Sequence, residues 1–144
     1  MIRTSDIIAR INGMLKKEWP DISRRGIDAE DSAKPPYFIV EVHWRASHRS
    51  MNLWRRDAMI YITYDPLKFD QTLQDDMGAR IEELIGRALV VKDRVLTVNE
   101  FDSNILDKKF LQCEFHLVWD ENVVDPETEP LMKELEVDFV DKEN

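Results

Sequence analysis

The stretch Leu111-Gln112-Cys113-Glu114-Phe115-His116-Leu117-Val118-Trp119 decides the fold. Leu111, Cys113, Phe115, Leu117 and Trp119 face one way, while Gln112, Glu114 and His116 face the other. A period of two over this length predicts a β-strand with one side on a core and the other toward solvent. Working backwards, residues 94–106 pair with 109–119 as a hairpin, with its turn near Asp107-Lys108. A second alternating pair lies further upstream. Phe38, Val40, Val42, Trp44 and Ala46 share one face of a strand running from Tyr37 to Ala46. After a polar turn at Ser47 to Ser50, Trp54, Ala58, Ile60, Ile62 and Tyr64 share one face of the return strand. Arg56 interrupts that face near its start, and Asp65-Pro66 ends the strand.

Two helices separate these hairpins from the rest of the chain. Ile7, Ile8, Ile11 and Leu15 recur at helical spacing, Thr4 or Ser5 can cap the start, and Pro20 lies just past the end. The second helix is expected from about Asp70 to Ala88, with Leu73, Met77, Ile81, Leu84, Ile85 and Ala88 as its apolar stripe. Gly78 and Gly86 each weaken it by about 1 kcal/mol relative to alanine, unless they serve close packing. Residues 22–27 suggest a short strand, and Pro35-Pro36 an extended entry into the strand at Tyr37. The order predicts an α+β fold: a mostly antiparallel sheet of two hairpins packed against two amphipathic helices, in two layers. Residues 1–119 make the domain. Residues 120–144 are expected to form an acidic C-terminal tail, with a short helix over 131–135 and a strand over 137–140.

Composition narrows the function classes. The chain has 144 residues, 43 % of them hydrophobic, and four tryptophans, which suits one domain with its own core. Net charge is −9, from 20 basic and 29 acidic side chains. Residues 120–144 hold ten acids and two bases, so the body is close to neutral. Such a balance disfavours whole-surface binding to nucleic acid or anionic membrane, since both are polyanions. No segment approaches the roughly 20 apolar residues of a membrane span, and the N-terminal stretch lacks the apolar run of a secretory signal. Cys113 is the only cysteine, which excludes an intramolecular disulfide and a cysteine-rich zinc module. No glycine-rich nucleotide loop is present among the four glycines.

Candidate chemistry is sparse. His43 and His116 sit on the polar faces of two strands, where Glu41 or Glu114 would have to complete a metal site; solvent-facing roles suit them better. Cys113 lies within the core-facing alternation and reads as a small buried hydrophobe rather than a nucleophile. No catalytic, cofactor-binding or metal-binding set is assigned. The one local basic patch is Arg45, His48, Arg49, Trp54, Arg55 and Arg56. It reads in three ways: a solvated hairpin tip, a phosphate-binding arm, or a contact between subunits. In the last, Arg45, Arg49, Trp54, Arg55 and Arg56 would meet an acidic surface on a neighbour.

Several blocks together resemble the small tail terminator (tail completion) proteins of prophages of Gram-positive bacteria. They are the opening helix with Ile7, Ile8, Ile11 and Leu15, followed by Trp19-Pro20-Asp21-Ile22. Next come Pro36-Tyr37-Phe38-Ile39-Val40, and Arg55-Arg56 leading into Ile60-Tyr61-Ile62-Thr63-Tyr64. The last is Val91-Lys92-Asp93-Arg94-Val95-Leu96-Thr97-Val98-Asn99-Glu100 with the hairpin after it. The resemblance implies a structural subunit that assembles with itself as a ring, typically a homohexamer, on the end of a tail tube. Such a ring stops tube polymerisation and offers a surface to the head–tail connector protein. It implies tail tube protein and connector as partners, no cofactor and no catalytic residue. The location implied is the virion tail, after assembly in the host cytoplasm. A head–tail connector adaptor is the alternative within that class, and a small nucleic-acid-binding module using the basic hairpin is the alternative outside it.

Overall fold

The computed structural model describes residues 1–26, 34–45 and 47–122. The chain order is α1 (Thr4–Glu18), β1 (Ser23–Arg25), β2 (Tyr37–Trp44), β3 (His48–Arg49), β4 (Trp54–Asp65), α2 (Gln71–Ile85), β5 (Ala88–Val91), β6 (Arg94–Leu106) and β7 (Phe110–Glu121). All seven strands join one sheet in the order β1-β2-β4-β7-β6-β5, with β3 added to β4. The fold is α+β. Of the strand expected over Tyr37 to Ala46, Tyr37–Trp44 forms β2 and pairs antiparallel with β4, from Tyr37 opposite Asp65 to Trp44 opposite Ala58. β6 and β7 pair likewise, and β4 beside β7 joins the two halves, Trp54 facing Glu121 and Tyr64 facing Leu111.

The decisive alternation is visible side chain by side chain. Leu111, Cys113, Phe115, Leu117 and Trp119 are at most 5 % exposed. They share one cluster with Ile7, Ile11 and Leu15 of α1, Phe38 and Val40 of β2, Ala58, Ile60 and Ile62 of β4, and Ile81 and Ile85 of α2. Both helices therefore bury part of their apolar residues in the same cluster as the sheet. Asp107 and Lys108 both take positive φ, 55° and 51°, and Lys109 N–H donates to the Leu106 carbonyl at 3.0 Å. Asp107 and Lys108 are the two left-handed central residues of a turn within the three-residue connection 107–109, since Leu106 pairs with Phe110. No helix among the described residues is long and apolar enough to cross a membrane.

Some details differ from the sequence-based expectation. The cap of α1 is Arg3, whose N–H donates to the Asp6 carboxylate at 2.8 Å, so neither Thr4 nor Ser5 plays that part. α2 ends at Ile85 because Gly86 takes φ 71°, and Ala88 opens β5 instead of closing the helix. Leu73 points outward at 66 % exposure, while Gln74 is buried and donates to the Lys109 carbonyl at 2.9 Å. The buried stripe runs Gln74, Gly78, Ile81, Ile85, because the face passing closest to β6 needs a small residue. A Cβ on Gly78 would lie 3.2 Å from Ser103 Oγ. β7 continues two residues past Trp119, so Asp120 and Glu121 are strand residues. Ala46, and the helix and strand expected over 131–135 and 137–140, lie outside the described residues.

Candidate functional site

The basic patch lies at the end of the sheet where β3, β4 and β7 meet. Its residues divide by strand parity. In β4, Trp54 and Arg56 point to the core face, whereas Arg55 points to the opposite one.

Arg56 is the unusual member, being only 9 % exposed. Its guanidinium lies 4.1 Å from the Trp44 ring centre, 4.0 Å from Trp54 and 5.8 Å from Trp119. The negative ring faces attract the cation, and the planar guanidinium fits between flat rings where an ammonium would not. Arg56 Nη1 also donates to Glu121 Oε2 at 3.3 Å, and Glu121 Oε1 accepts the Ile2 N–H at 2.7 Å. A buried charge demands this degree of satisfaction. Trp44 Nε1 donates to Thr4 Oγ1 at 2.8 Å, so the cage ties the start of α1 to β2, β4 and β7.

Arg55 is exposed and donates to Asp120 at 3.1 Å; the carboxylate beside it raises the arginine pKa above its ordinary value. The Asp120 carbonyl also accepts from Arg94 of β6. Arg49 stacks over Trp54 at 5.3 Å, where Ser50 and Leu53 close the β3–β4 turn. Arg45 lies 3.1 Å from both ring nitrogens of His116. His116 in turn has Asp57 at 3.5 Å and Glu100 at 3.7 Å; Glu100 adopts φ 54° at the bulge that shifts the β6 register between Asn99 and Asp102. The structure thus brings Trp54, Arg55 and Arg56 together with Arg49, and places Arg45 apart, on the His116 cluster.

The partners of Arg55 and Arg56 are Asp120 and Glu121, two residues that sequence reading assigned to the acidic tail. The signal that finds them is parity: continuing the alternation past Trp119 places Glu121 beside it on the core face. Part of the acidic surface expected on a neighbouring copy is therefore supplied by the same chain. His43 and His116 lie on one face but flank Met59 on separate strands, two strand spacings or roughly 10 Å apart. His43 contacts Glu41 at 3.0 Å and the Tyr61 ring edge instead. Among the described residues no group of three His, Cys, Asp or Glu is placed to hold a metal ion. Burial pushes the Cys113 thiol up to about 12, which keeps it protonated and unreactive.

At this corner Arg55, Arg56 and Trp44 spend their polar groups on tying the chain's own elements together. A family model described as phage tail terminator protein matches residues 6–129, and the chain belongs to that family. It is a structural component of a phage virion tail. No curated protein matches the chain.

Proposed function

We propose that this protein is the tail terminator itself: copies close into a ring, six in the expected case, on the end of the tail tube. The ring stops tube polymerisation and presents a surface to the head–tail connector. The observation that carries this reading is the family match, which spans every element of the sheet from β1 to β7 and all but the first two residues of α1. The internal pairing of Arg55 and Arg56 supports it over nucleic-acid binding, because two of the four arginines needed for phosphates already have carboxylate partners. A connector adaptor of similar size would not cap a tube. The test is polymerisation of the tail tube protein with and without this chain, with lengths measured by electron microscopy. Tubes are expected to shorten and to carry a ring at one end; unchanged lengths and bare ends would overturn the assignment. Native mass by light scattering supplies a second check, the expected closed species being about six times 17.0 kDa.

A further inference from the structure

β6 is thirteen residues long, and β5 covers only its start, from Val91 opposite Arg94 to Ala88 opposite Thr97. The Val98 N–H still turns outward, donating to the Arg87 carbonyl at 2.9 Å. Beyond that point the outer edge of β6, residues 99–106, has no strand beside it among the described residues. Such a row of open backbone groups is a template for pairing with another chain. Leu106, 40 % exposed, adds an apolar side chain to that edge.

Which backbone groups face out follows from the register. N–H groups alternate in direction along a strand, so Arg94, Leu96 and Val98 form the outward set at the start of β6. Between Asn99 and Asp102 β6 advances three residues while β7 advances two, from His116 to Glu114. The extra residue reverses the parity, so beyond it Ser103 and Ile105 turn their N–H groups outward. The first of these donors is already taken. The Asp102 carboxylate accepts the Ser103 N–H at 2.9 Å and Asn104 Nδ2 at 3.3 Å.

Asp102 is costly where it stands. Aspartate is depleted in strands, and this one lies directly opposite Glu114, a like charge across the ladder. Among the described residues its carboxylate bonds only to its two neighbours on β6, with no cation to offset the repulsion. A residue that weakens its own pairing while occupying an edge donor is placed to weaken pairing from outside.

We propose that Asp102 guards the edge of β6, withholding it from the same edge of a second copy. The pairing it prevents is antiparallel and self-complementary, each β6 being both template and added strand, so it ends at a dimer. The carboxylate fills the donor that a second strand would need at Ser103, and pairing would bring two such charges together across the new ladder. The guard is independent of the ring: whatever assembly the wild-type chain forms is the baseline against which it is read.

The test compares three full-length variants with the wild type by sedimentation velocity at equal concentrations. Asp102→Val removes both acceptor and charge at an exposed position. Asp102→Asn keeps an acceptor oxygen for the Ser103 N–H. Asn104→Val places the same apolar side chain at another exposed position, two residues on, with Asp102 intact. Asp102→Val is expected to raise the weight-average mass about twofold over the wild type, with a thermal midpoint no lower. The other two are expected to keep the wild-type profile. A wild-type profile for Asp102→Val overturns the proposal, because the edge is then closed by something other than Asp102. Equal association of Asn104→Val overturns it by showing a sticky valine, and equal association of Asp102→Asn by showing that the occupied donor plays no part. Association with a lowered midpoint overturns it too, since a damaged fold then drives the contact.

Discussion

Arg56 shows how a residue that breaks a pattern can be what the pattern needs. In sequence it interrupts an apolar face, and nothing local says whether it turns outward or stays in. The answer lies in Trp44, Trp119 and Glu121, which are distant in sequence and converge only when β2, β4 and β7 pair. That is why the basic patch was legible as a cluster and its internal cancellation was not. Arg56→Ala is expected to cost about 3 kcal/mol or more of stability, because it leaves Glu121 buried without its cation; urea unfolding followed by far-ultraviolet circular dichroism measures it. Arg55→Ala, at an exposed ion pair, is expected to change the same curve by less than about 1 kcal/mol. Cys113 gives a pH-dependent counterpart. Its folded thiol holds its proton up to about 12, against an ordinary value near 9. The stabilisation is complete below about 9 and is lost as pH rises toward 12, since the unfolded chain deprotonates first. At pH 8 a thiol reagent is expected to label Cys113 only after unfolding.

The longer elements show in the sequence, and of the three shortest strands only β1, expected over 22–27, is legible there. α1, the long arms of both strand pairs and the Asp107-Lys108 turn follow from periodicity and turn chemistry, because each spans enough residues for a period to show. β5 has four residues and β3 has two, too few for any period, and they exist through pairing with β6 and β4. The rotation of α2 had a signal in Gly78, where Ser103 passes close enough to leave little room for a side chain. Two substitutions test this placement, with thermal unfolding as the readout. Gly78→Val is expected to destabilise by about 1–3 kcal/mol through collision with Ser103. Gly86→Ala is expected to cost about 1–3 kcal/mol, although its surroundings are open, because φ 71° with ψ −157° is backbone that essentially only glycine adopts.

For the whole molecule, each copy carries a net charge of −9, so the self-assembly proposed above works against repulsion between like-charged copies. Contacts made through exposed apolar side chains such as Leu67 and Leu73 would be indifferent to screening, whereas the repulsion is not. Self-association is therefore expected to hold or strengthen as salt rises from about 0.05 to 1 M, where the Debye length falls to roughly 3 Å. Weakening over that range, measured by sedimentation velocity, would point to an interface built on charge pairs instead. The cage around Arg56 has one more consequence at this scale. Trp44, Trp54 and Trp119 are three of the four indoles in the chain, and all stand at one end of the sheet, while Trp19 packs on Phe38 elsewhere. Intrinsic emission is thus weighted toward a single corner of the subunit, so the chain carries a built-in optical reporter of whatever docks at that corner, without any attached dye.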